Sequence, residues 1–153
     1  MKSPKRKTSP HVSSTVLFKF TEKEHREINQ PFRDSFQILK SGKGTQTDWF
    51  NATFRVLSAY LIAKKTHEDV TIEQLKNVLD ICEGLELRAR DHQHTKWEVT
   101  SEEIEWIEAG LDAIEELQRT INRKIFYECC TEADTYIRKK YAPKGKLRNT
   151  NKT

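Results

Sequence analysis

The chain has 153 residues, 35% hydrophobic and 33% charged, with five Gly and four Pro. That length fits one domain and that composition a charge-rich helical one, and no apolar run approaches the roughly 20 residues of a membrane helix. Residues 1–14 carry four bases and no acid, and 138–153 seven bases and no acid, so 16 bases face all 23 acids in 15–137. An acidic body with two basic tails lies behind the net charge of +4, which excludes reading the whole chain as a basic nucleic-acid binder.

"MKSPKRKTSPHVSS" (1–14) lacks the apolar stretch of a secretory signal and reads as a disordered basic tail. In "TVLFKF" (15–20) Val16, Phe18 and Phe20 alternate, which predicts an extended arm packed on the core. "TEKE" (21–24) is a capping box that starts a helix. Pro31, with no amide hydrogen, predicts a break or kink before the pattern resumes with Phe32, Phe36 and Leu39 on one face, and "SGKG" (41–44) ends it. Thr47 or Asp48 caps the next helix, 49–65. There Phe50, Phe54, Leu57 and Leu61 recur at helical spacing and Trp49, Val56, Tyr60 and Ala63 widen the stripe, which marks a central helix.

A second capping box, Thr71 with Gln74, opens a helix over 72–90, where Gly84 predicts the close approach of another helix. "DHQHTKWEV" (91–99) leads to a third capping box, Thr100 with Glu103. From 101 the helical pattern runs to about 141 without Pro. Forty residues at 1.5 Å each would span roughly 60 Å, about twice the preceding helices. Either the pattern breaks near 119–124 or its far end projects. A projecting end leaves Ile121, Ile125, Phe126 and Cys129 in need of cover, and a homodimer through those residues is the expected assembly. The expected fold is all-α: an irregular four- to five-helix bundle over 15–141 with an N-terminal extended arm and a long C-terminal helix. Residues 142–153 form a second disordered basic tail.

The residues point away from catalysis. His92 and His94 sit past a helix end with no second ligand cluster near them, and loop polarity or complementarity to the helix C-terminus accounts for them. No Gly-rich phosphate loop, nucleophile elbow or HExxH occurs, so no catalytic residue, metal or cofactor is expected. Cys82, Cys129 and Cys130 have no CxxC spacing and read as reduced thiols of a cytoplasmic protein.

The distinctive feature is acidic. Between 101 and 118 there are seven acids and no Lys or Arg. Glu102 and Glu103 suit the positive end of a helix dipole, but Glu105, Glu108, Asp112, Glu115 and Glu116 fall on one face beyond it, where like charges repel. Ile104, Ile107, Leu111, Ile114 and Leu117 take the other side, with Trp106, Gly110 and Ala113 extending that apolar arc. Besides a solvated surface, such a face suits docking on a basic groove of a partner. The basic tails offer an alternative: an accessory nucleic-acid-binding protein, or weak nonspecific contact with phosphates.

From "DWFNATFRVLSAYLIA" (48–63) through "TKWEVTSEEIEWIEAGLDAIEEL" (95–117) the chain resembles small all-helical proteins of bacterial plasmids and phages. The likeness lies in the Trp-led helix, the Trp97, Thr100, Glu103 entry to the last helix and the "GLD" segment. It is similar in size and acidic helical character to anti-CRISPR proteins, including type I-F inhibitors. That resemblance implies a non-enzymatic protein of the bacterial cytoplasm that blocks a defence nuclease, helicase-nuclease or guide-RNA complex, its carboxylates standing where DNA phosphates would lie.

Overall fold

The computed structural model describes residues 19–141; the basic tails and residues 15–18 of the arm lie outside that range. Five helices follow in order: α1 (Glu22–Lys40), α2 (Gln46–Lys65), α3 (Asp69–Arg90), α4 (Ser101–Thr120) and α5 (Arg123–Tyr141). The all-α bundle is as expected. None of these helices is long and apolar enough to cross a membrane.

Local sequence explains where most helices begin. The capping boxes at Thr21/Glu24 and Thr100/Glu103 both form. α2 starts one turn earlier than read, because Thr45 is the cap and Asp48 the reciprocating residue. α3 also starts early. Its cap is Glu68, without a side-chain bond, and Thr71 lies inside the helix. The connection is too short for the second capping box: His67 takes φ 59 and the Glu68 amide returns to the Ala63 carbonyl at 3.0 Å, which turns the chain straight into α3. Pro31 does not interrupt α1. It deprives only the Glu27 carbonyl of its helical donor, and both residues are exposed, so the loss falls on the solvent side of the helix.

α2 is the axis of the fold. Its buried residues fall all round the helix, and α1, α3 and α5 pack along it. Trp49 pins three elements together: its indole Nε1 donates to the Cys82 carbonyl of α3 at 2.8 Å, and its ring meets Tyr141 edge-on at 4.8 Å. Against it lies Trp97, fully buried from the 91–100 connection, with Nε1 donating to the His94 carbonyl at 2.9 Å.

Of the two alternatives for the pattern from 101, the break near 119–124 is the one that forms, and the long C-terminal stretch is two helices. Ile121 is extended (ψ 161), and the Asn122 side chain caps α5 by accepting the Ile125 amide at 2.9 Å. Lys19 pairs with Asn122 in an isolated antiparallel bridge, and Phe20 of the arm is buried edge-on to Phe126 at 5.1 Å. The break folds α5 back onto α2, so the apolar groups expected to need a second copy are covered within the chain. Ile121, Phe126 and Cys129 are buried and Ile125 is partly buried in the core, so within a single chain these residues of the expected dimer interface are already packed.

The two helical glycines differ. A Cβ on Gly110 would lie 2.7 Å from Val78 Cγ2, so α4 and α3 approach closely there. A Cβ on Gly84 would meet only the Arg88 guanidinium at 3.8 Å, and the expected close neighbour is absent.

Candidate functional site

α4 presents its acids in two groups. Along one flank α1 neutralises them: Lys40 Nζ reaches Glu108 at 3.1 Å, and Arg33 pairs with Glu115. At the helix start Glu103 caps the Thr100 amide and is gripped by both Arg88 nitrogens at 2.8 and 3.1 Å. Burial pushes the Glu103 carboxyl up, but Arg88 and Thr100 outweigh it and hold the group below its usual range.

The remaining acids face outward. Glu105, Asp112 and Glu116 are exposed and make no ion pair among the described residues; Glu102 is the same. With Trp106 they fall within roughly 120° of the helix circumference and span roughly 21 Å along it. Trp106 was read as part of the apolar arc, yet it is 48% exposed. The surface is therefore Glu102, Glu105, Asp112 and Glu116 beside an indole, while Glu108 and Glu115 brace α4 against α1. The helical period contains the signal for Trp106, since it sits at the boundary of the two faces. Only the packing of α1 and α3 decides on which side it falls.

The histidines have separate fates. His92 is exposed at the helix end. Gln93 and His94 adopt left-handed backbone (φ 52 and 60), and the His92 and His94 amides both return to the Ala89 carbonyl, at 2.9 and 2.8 Å. The His94 ring stacks on Trp97, with Nε2 3.0 Å from Glu86 Oε2; Arg90 Nε donates to the same oxygen at 2.8 Å. Glu86 is buried, which pushes its carboxyl up, but Arg90 and His94 outweigh that and hold it ionised below its usual range. His94 thus hydrogen-bonds the buried acid that Arg90 neutralises, and closes the Trp97 loop.

A second polar cluster joins four helices in the core. Arg55 of α2 donates to Asn29 of α1 at 3.2 Å, to Ser58 at 3.4 Å and to Gln118 of α4, and its guanidinium lies 5.3 Å from the Phe126 ring of α5. All these partners are neutral. The thiols are inert by environment: burial pushes Cys82 and Cys129 up to about 11 and raises Cys130.

Compared with known proteins, the chain matches no family model, no curated protein and no solved structure.

Proposed function

We propose that this chain is a non-enzymatic binding protein that lays the outer face of α4 on a basic groove, and that the groove belongs to a nucleic-acid-handling defence complex of a bacterial host. The carrying observation is a half-exposed tryptophan beside four carboxylates with no ion partner among the described residues. Apart from the helix dipole's preference for Glu102, folding gains nothing from this arrangement. Like charges three and four residues apart each cost a few tenths of a kcal/mol, and the indole remains half in water. Docking uses both features: a desolvated Trp is the commonest kind of energetic anchor, and surrounding charge speeds encounter and sets register. A groove shaped for nucleic acid presents Lys and Arg to phosphates, and carboxylates on a rigid helix satisfy the same donors. The type I-F anti-CRISPR resemblance identifies the class of complex to test first.

In the test, the purified chain is mixed with a type I-F effector complex, and with its helicase-nuclease. Co-migration and cleavage of target DNA are followed at two salt concentrations. Salt-sensitive association with loss of cleavage is expected. Glu105→Lys with Asp112→Lys abolishes it, and Trp106→Ala weakens it by about tenfold or more, equivalent to about 1.4 kcal/mol. Helical circular dichroism stays unchanged in both variants. If the wild type neither associates with nor inhibits either assembly, the partner assignment is wrong. If reversal of both acids leaves association intact, the surface is wrong.

A further inference from the structure

α3 and α5 both pack along α2 but hardly touch each other, and a cleft of about 320 Å³ opens between them. Leu57 and Leu61 of α2 form its floor, Leu79 of α3 and Ile137 of α5 its walls. Leu61 and Leu79 are only partly buried, and Tyr136 on the rim is 51% exposed, so the five helices leave this apolar slot uncovered. Its charged rim is net acidic: Asp80, Glu83 and Glu132 stand against Lys76 and Lys140. Lys140 pairs with Glu83 at 3.3 Å, and Lys76 with Asp80 at 3.7 Å between side chains more than half exposed. Glu132 makes no ion pair among the described residues.

The occupant that fits is narrow, apolar at one point and basic on either side. A helix of roughly 10 Å diameter would need about three times this volume over the roughly 12 Å from Thr53 to Leu61, so the slot suits extended chain. Such a segment follows directly from α5. Tyr141 lines the cleft, and "APKGKLR" (142–148) comes next, outside the described residues. Ala142 precedes Pro143, which disfavours further helix, and Gly145 accepts the backbone of a tight turn. Leu147 is flanked by Lys146 and Arg148, with no acid in the stretch. The reach is sufficient: Glu132 lies nine residues before Tyr141 on α5, roughly 14 Å back along the cleft, and 142–147 can span up to roughly 20 Å. The N-terminal basic segment is placed less well, because it enters the described fold at Lys19, paired with Asn122 at the far end of α5 from Tyr141.

We propose that residues 142–148 fold back into this cleft as an extended strap, with Leu147 seated on Leu57, Leu61, Leu79 and Ile137, and with Lys146 and Arg148 facing Glu132 and Asp80. The exposed Lys76–Asp80 pair is weak, so Asp80 accepts a second cation at little cost. The tether at Tyr141 supplies the effective concentration, so one apolar anchor and two charge contacts keep the strap docked most of the time and still let it open. Docked there, these bases are held off the outer acids of α4, which stay open to a partner. α4 contributes no residue to the cleft, so the strap and the proposed docking face are separate surfaces.

Trypsin at low concentration cuts after Arg148 only in chains whose strap is open. The rate for a free 142–153 peptide, divided by the rate in the full chain, therefore reads docking. About fivefold protection is expected at low salt, falling to about twofold in about 0.5 M salt as the charge contacts are screened. Leu147→Ser, compared with its own peptide, removes the anchor and brings protection close to none; it lies beyond the last helix and leaves the helical melt unchanged. Leu61→Ala in the floor weakens protection in the same direction, and Glu132→Lys about halves it. Amide NMR shifts between wild type and Leu147→Ser are expected at Leu57, Leu61, Leu79 and Ile137. The proposal is overturned if Arg148 is cut as fast in the full chain as in the peptide, or if Leu147→Ser leaves protection intact. Shifts on Glu105, Asp112 and Glu116 would put the segment on α4 and overturn it as well. So would protection that rises with protein concentration, since the segment would then enter the cleft of a second copy.

Discussion

Arg55→Met tests the most costly feature of the core. Arg55 is 4% exposed, no carboxylate lies within ion-pair reach of it among the described residues, and its Nε has no partner. Burial pushes its pKa well below the usual guanidinium range, to about 10, with Cys130 and Glu115 pulling weakly the other way. At about 1.4 kcal/mol per tenfold change, folding disfavours the charged form by about 3 kcal/mol. The group is a base with a depressed pKa, so this penalty is fully present below about pH 10 and is relieved as pH rises from there toward the ordinary guanidinium range. Methionine removes the charge but strands the Asn29 and Gln118 side-chain oxygens, at about 1–3 kcal/mol each. The single variant is therefore expected between neutral and about 3 kcal/mol less stable. Asn29→Leu/Arg55→Met/Gln118→Leu removes the orphaned acceptors as well, and is expected to be about 2–3 kcal/mol more stable than wild type. Urea denaturation of the full chain at pH 7, followed by far-ultraviolet circular dichroism, measures both. A triple variant less stable than wild type would refute the reasoning, since the guanidinium would then repay its own desolvation. A stabilised triple variant with a smaller denaturant slope would show that the network sets helix register rather than stability.

The two helical glycines are expected to respond in opposite directions in the same assay. Gly84→Ala stabilises by about 0.5–1 kcal/mol through helix propensity, while Gly110→Val destabilises by about 1–3 kcal/mol by forcing α4 off Val78. Glu86 and Glu103 are held below the ordinary carboxylate range, so their stabilisation is present above about pH 4.5 and is lost as pH falls through their folded values. Thermal melts from pH 3 to 7 should show a shallower acid limb for Glu103→Gln than for wild type, with the largest gap at neutral pH. Phe126→Glu places a carboxylate in the core rather than at a subunit boundary. It is expected to cost about 3 kcal/mol or more, measured as unfolding; a folded variant whose only change is in sedimentation would contradict the burial of Phe126.

The parts of the fold legible in advance were those governed by local physics. The 3.6-residue period placed α2 at the centre, and the Thr–Glu capping boxes located the starts of α1 and α4 to the residue. The signals for the α4–α5 break were also present. Asn122 is a strong N-cap, but it lies in an otherwise unbroken helical pattern, and the extended Ile121 becomes favourable only because Lys19 and Phe20 pack against the turn. Thr71 shows the opposite case: a good local capping signal lost to a turn too short to use it.

The α4 surface divides the same way. The sequence alone determined that a helix with seven acids and no base before Arg119 in its last turn would be capped by Thr100 and turn its isoleucines and leucines inward, because capping, periodicity and charge are properties of neighbours along the chain. Which acids remain available was a tertiary decision. Lys40 and Arg33, 68 and 82 positions away from their partners, reach Glu108 and Glu115 only because α1 packs beside α4. The same packing leaves Trp106 half in water and Arg55 buried among neutral groups. Burial and ion pairing depend on which distant elements meet, and local pattern carries no record of that.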